Sequence, residues 1–99
     1  MSIFEKAALK TAIIEVPALN GEAVEITELS MKGRSRVMEL YNGNDGALVP
    51  AAIAAMCVPD LAERSEEDIA SGMQPDVLQE IAAEVMALSG ISDEDDSKN

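Results

Sequence analysis

Apolar and polar positions along the chain change period several times, and each change marks an element. Residues 11–16, TAIIEV, and 22–28, EAVEITE, alternate with a period of two, the signature of half-buried strands. The intervening PALNG carries turn residues. A three-residue loop of Leu19, Asn20 and Gly21 would set Val16 opposite Val24 and Ile14 opposite Ile26, leaving Glu15 opposite Glu25 on the outer face. Ser30 then reads as the N-cap of a helix over about 31–42, with Val37, Leu40 and Tyr41 as apolar positions, Met38 beside them, and Gly33 weakening the first turn. NGNDG at 42–46 is a break. A second helix covers about 48–57, with Pro50 in its first turn and Pro59 ending it. SEED at 65–68 has capping-box character and starts a short helix that ends at Gly72. From Pro75 to about residue 89 the period is helical: Val77, Leu78, Ile81, Ala82, Val85, Met86 and Leu88 occupy about half the circumference, and Gly90 is a left-handed stop. The pattern predicts an α+β fold: an N-terminal hairpin (11–28), a small bundle of about four helices (31–42, 48–57, 66–71, 75–89) within one domain of residues 1–92, and a disordered acidic tail over 93–99.

Composition narrows this picture. With 99 residues the chain has room for one core, and 47% hydrophobic content favours folding over disorder. Phe4 and Tyr41 are its only aromatic residues, and much of its apolar content is alanine, so the expected core is shallow and its stability modest unless self-association or a partner helps. Nineteen acids against seven bases give a formal charge of −12, which disfavours nucleic acid and anionic membranes as partners. No apolar run approaches the ~20 residues of a membrane span, and MSIFEKAALK lacks the apolar stretch of a signal peptide. Cys57, the single cysteine, reads as a buried small apolar position in a reducing cytoplasm.

The chemistry of catalysis is thinly represented. Without histidine the chain lacks the commonest general base and transition-metal ligand, and no Ser-His-Asp or Cys-His site can form. One cysteine makes no zinc site alone, and no cofactor is expected. Counted from Asp93, Asp95 and Ser97 have calcium-loop spacing, but no glycine follows at the required place; counted from Asn42, the twelfth position is Ile53 instead of an acid. The tail acids Asp93, Glu94, Asp95 and Asp96 therefore read as a solvated terminus or a linker, and the chain as a non-enzyme. Its candidate functional groups are those of a binding protein. Arg34 and Arg36 form a small basic island that either pairs loosely with Glu28 or Glu39 or receives an acidic segment of a partner. Met73, in a linker, and Met86, at the border of the last helix's apolar arc, are flexible thioethers suited to varied helical sequences. Glu15 and Glu25 form an acidic pair where a partner's basic groups could dock.

The order of these pieces carries a resemblance. Val16-Pro17 in a hairpin, Leu29-Ser30 opening a helix, Met56-Cys57 closing an alanine-rich one, Glu66-Glu67-Asp68-Ile69, and Leu88-Ser89-Gly90-Ile91-Ser92 before an acidic tail ending in Asn99 resemble the tail assembly chaperones of long-tailed bacteriophages. The resemblance covers about residues 11–99, and CVPDLAERSEED departs from it by lacking a short glycine-containing turn. It implies a non-enzymatic late protein of the host cytoplasm, absent from the mature virion. Such a protein binds the tape measure protein, keeps it soluble, and is displaced as tail tube protein polymerises. It also implies that a longer frameshifted form can exist, with the acidic tail as its linker. A small acidic regulator, such as an antitoxin or a nucleic-acid mimic, is the alternative.

Overall fold

A computed structural model describes residues 2–91, so the acidic tail over 93–99 lies outside the described residues. The architecture is α+β. A four-residue helix α1 (Ile3–Lys6) precedes the hairpin of β1 (Thr11–Val16) and β2 (Glu22–Thr27). Then come α2 (Met31–Asn42), α3 (Val49–Cys57), α4 (Glu66–Gly72) and α5 (Pro75–Leu88), with 3-10 turns at Gly46–Leu48 and Pro59–Leu61. The four helices after the hairpin match the sequence pattern closely. The alternation did not reveal α1, or the turn at Pro59–Leu61 that fills the middle connection.

The helix starts follow local chemistry. Ser30 and Ser65 sit in extended backbone and accept the N–H groups of Gly33 and Asp68, each at 3.0 Å. Contrary to the weakening expected at Gly33, α2 is helical from Met31. Gly33 is itself buried, and a Cβ there would lie 3.0 Å from Leu29 Cδ2 and 3.5 Å from Met56 Sδ. The residue that costs helix propensity is the one that lets neighbouring side chains in. At the other end of the fold α5 stops in a Schellman motif. Gly90 adopts φ +77°, its N–H donates to Ala87 O, and Ile91 N–H donates to Met86 O at 2.8 Å.

The hairpin register differs from the one the sequence favoured. Ile14 pairs with Val24, Ala12 with Ile26 and Val16 with Glu22; on the outer face Ile13 pairs with Glu25 and Glu15 with Ala23. The loop has five residues. Pro17, which fixes φ and lacks an N–H, starts a 3-10 turn over Pro17–Leu19, and Asn20 and Gly21 both take positive φ, 59° and 78°. Gly21 N–H then closes on Val16 O at 3.0 Å. A shift by two leaves every side chain on its expected face. It does undo the direct pairs Val16–Val24, Ile14–Ile26 and Glu15–Glu25: Glu15 and Glu25 are diagonal neighbours.

The core lies between the inner face of the hairpin and the four helices, centred on α3. Ala51, Ala52, Ile53, Ala54 and Cys57 are all buried, so this helix is apolar nearly all round and touches α2, α4 and α5. α5 contributes Val77, Leu78, Ile81, Ala82 and Val85, and packs against α3 on one side and the hairpin on the other. Burial pushes the Cys57 thiol above its usual range. Tyr41 and Met38, grouped with the apolar side of α2 by spacing, are instead outside the core.

Two substitutions check this packing. Ile81→Ala removes a fully enclosed side chain and should cost about 2–5 kcal/mol in urea melts. Ala52→Leu adds apolar volume where none is free and should also destabilise, by about 1–3 kcal/mol. A stabilised Ala52→Leu variant would mean that the helices around α3 are not in close contact.

Candidate interaction surface on the second helix

α2 presents two different faces. At about 100° per residue, Gly33, Val37 and Leu40 point to the core, and Met31 and Met38 fall on the side away from it, with Arg34 and Tyr41 on one shoulder. Met31 is 87% exposed, Met38 59% and Tyr41 55%. Positions 31, 34, 38 and 41 have the three-four spacing of a helix-pairing seam, with an arginine at one of the four places. Tyr41 is held by its surroundings: a Cβ on Gly46 would lie 3.1 Å from the ring, so the glycine lets the ring rest against the following turn.

The chain's charge is segregated in the same places. α2 carries Lys32, Arg34 and Arg36 against Glu39, and residues 2–10 carry Lys6 and Lys10 against Glu5; no other element has more bases than acids. Among the described residues, six of the nine exposed large apolar side chains, Ile3, Phe4, Leu9, Met31, Met38 and Tyr41, belong to these two basic segments. Exposed apolar area and positive charge thus coincide, the combination that fits a partner with apolar and acidic groups side by side.

The two arginines have distinct settings. Arg36 grips Glu66 of α4 with a two-toothed contact, Nε to Oε2 at 3.0 Å and Nη2 to Oε1 at 2.7 Å, and also bonds Glu39. Glu66 first and Glu39 second hold the guanidinium still more firmly protonated, and Arg36 holds the Glu66 carboxyl below its ordinary range. Of the expected pairings with Glu28 or Glu39, Arg36 makes the one with Glu39, and the clamp onto Glu66 joins α2 to α4. Glu28 instead accepts the Lys10 N–H at 2.8 Å. Arg34 donates from Nη2 to Ser89 O at 2.9 Å and makes no ion pair among the described residues.

The other candidate residues are scattered. Met73 is half-buried in the bend between α4 and α5 and lines a depression of about 170 Å³ with Leu48, Pro50 and Leu78. Met73 also lines a second depression of about 370 Å³, with Leu61, Arg64, Asp68 and Ile69. Met86 is half-buried and packed against the core at the end of α5. Glu15 and Glu25 lie on the outer hairpin face, away from α2. Spacing alone missed Met31, Met38 and Tyr41 as a surface. The signal was present in the three-four repeat of Gly33, Val37 and Leu40, which accounts for the buried side without them.

Among the described residues no group of three or more cysteine and acidic side chains is placed to hold a metal, and no helix is long and apolar enough to cross a membrane. Comparison with known families, curated proteins and solved structures yields no match for this chain.

The Arg36–Glu66 clamp makes stability depend on pH. The Glu66 pKa is lower folded than unfolded, so the stabilisation is complete above the ordinary carboxylate value of about 4.3 and is lost as pH falls through the folded value. Glu66→Gln should lessen the loss of stability between roughly pH 7 and roughly pH 3. An unchanged difference between the two urea midpoints would show that the clamp contributes nothing to acid sensitivity.

Proposed function

We propose that this protein is a tail assembly chaperone of a long-tailed bacteriophage. It covers helical segments of the tape measure protein in the host cytoplasm, keeps them soluble, and is displaced when tail tube protein polymerises around them, so that it is absent from the finished virion. The observation that carries the reading is the exposed seam of Met31, Met38 and Tyr41 along α2. A long helical client exposes an apolar stripe of the same period, and two such stripes pack side by side. Methionine suits the task because its unbranched thioether adapts to different neighbours, which a chaperone for an extended client needs. Lys32 and Arg34 favour client segments whose stripe is bordered by acids. The action is coverage without turnover, and it needs no nucleotide, metal or cofactor.

Co-expression tests this directly. The parent chain should keep tape measure fragments in the soluble fraction, and Met38→Glu, which alters an exposed position, should lose that effect while its melting curve stays unchanged. Met86→Glu serves as the contrast: it disturbs a half-buried contact and should lower the melting temperature. A Met38→Glu chain that holds fragments as well as the parent would remove the α2 face from the mechanism. Recovery of a nuclease or a repressor in place of a very long helical protein, in pulldowns from infected cells, would overturn the chaperone reading as a whole.

A further inference from the structure

The segment before β1 and the outer face of the hairpin leave complementary groups uncovered. None of the α1 residues is buried, and Phe4, the only phenylalanine, is 83% exposed with Ile3 open beside it. On the hairpin, Ile13 is 75% exposed, with Glu25 opposite it and Glu15 two residues along the same face. Both ion pairs among the described residues belong to Arg36, so among those residues Lys6, Glu15 and Glu25 make no ion pair. The arm joins apolar side chains to one base, Lys6, with the acid Glu5 beside it, and the hairpin face joins Ile13 to two acids.

The arm is poorly built to cover its own hairpin. Lys10 is fixed in line with β1, its N–H on the Glu28 carboxylate at 2.8 Å and its carbonyl accepting the Glu28 N–H at 2.9 Å. At the other end the N–H groups of Ala7 and Ala8 close the last turn of α1, on Ile3 O and Glu5 O. Only Ala8 and Leu9 remain to reverse the chain and bring Phe4 over Ile13. Reaching a neighbouring molecule requires no such reversal.

We propose that the arm over residues 2–9 docks on a second copy of this chain. Phe4 and Ile3 lie on the second copy's Ile13, and Lys6 lies against its Glu15 and Glu25. The exchange is reciprocal, giving a two-fold dimer in which each chain supplies one arm and one face. Reciprocity also supplies area: a single short arm falls well below the roughly 800 Å² per partner of a stable interface, and two arms on two faces double the contact. This interface uses none of the residues of the α2 seam, so its test reads the arm and the hairpin face without touching Met31, Met38 or Tyr41.

Sedimentation of the full chain over a range of concentrations should reveal a monomer–dimer equilibrium. Phe4→Ser and Ile13→Ser should each weaken it by about tenfold or more, equivalent to about 1.4 kcal/mol, while circular dichroism reports an unchanged monomer fold. Lys6→Glu and Glu25→Lys should each weaken association, and combining them should restore it. Mixing Phe4→Cys chains with Ile13→Cys chains under mild oxidation should give a disulfide-linked species of twice the chain mass, with Cys57 buried and out of reach. A chain that stays monomeric throughout, or a dimer indifferent to Phe4→Ser and Ile13→Ser, overturns the proposal. So does a Phe4→Cys/Ile13→Cys double variant that closes its disulfide within one monomer, because the arm would then cover its own hairpin.

Discussion

A core that contains no aromatic side chain has to bring backbones close together, and the rest of this structure follows from that constraint. The centre is α3, where Ala51, Ala52 and Ala54 are buried with Ile53 and Cys57. Small side chains on several sides of one helix let α2, α4 and α5 approach it together, so dispersion contacts come from backbone proximity and branched aliphatics. Such a core has little tolerance for added volume. It also has no place for a large flat ring, and both aromatic residues, Phe4 and Tyr41, are exposed. The exposure of Phe4 and Tyr41 is thus partly a consequence of how the interior is filled.

A two-stranded hairpin is at best marginal alone, and here α5 holds it at both ends. Near the loop, the Glu80 carboxylate accepts the Ala18 N–H at 3.1 Å. Where β2 leaves for α2, the Ser89 hydroxyl accepts the Leu29 N–H at 2.9 Å and donates to Val85 O at 2.7 Å. Arg34 adds a third tie by donating to Ser89 O. The bonds from Ala18, Leu29 and Arg34 each join groups separated by fifty-five or more residues. Together with the apolar packing of Val16 and Ile26, they fix the hairpin against α5 and set the point from which α2 departs. The burial of Gly33, Val37 and Leu40 turns Met31 and Met38 outward, and Ser30 caps the first turn of α2.

Long periodic segments were legible in the sequence, and short or chain-reversing ones were not. α5 could be read because fourteen residues in helical period determine a face regardless of neighbours. The hairpin faces were legible for the same reason, but the pairing was not. Alternation fixes parity only, and the choice between three and five loop residues turned on whether Pro17 ends β1 or starts a turn. On α2 the apolar residues are too evenly spread to declare one side. Val37, Leu40, Tyr41 and Met38 form a plausible inner face until Gly33 is recognised as a contact point for Leu29 and Met56. Arg36 was identified as a candidate, but its partner Glu66 is thirty residues away and could not be found by spacing. α1 has four residues and no buried position, so no periodicity could announce it.

The two proposed surfaces work better together than apart. A chaperone that must be displaced cannot hold its client too tightly, and Met31, Met38 and Tyr41 on one helix make a contact well below the size of a stable interface. Binding by one chain alone would then be weak and quickly reversed. A dimer joined through exchanged arms places two α2 seams on one particle, so a long client with a repeating stripe can engage both. The second contact then forms at high effective concentration without any new kind of interaction. Under the proposed function release would keep its speed, because a displacing protein would need to remove only one weak contact at a time. The charge of −12 per chain acts in the same direction. It discourages indiscriminate crowding of copies at long range, and screening within about 8 Å at physiological salt leaves the short-range choice to the two basic, apolar strips.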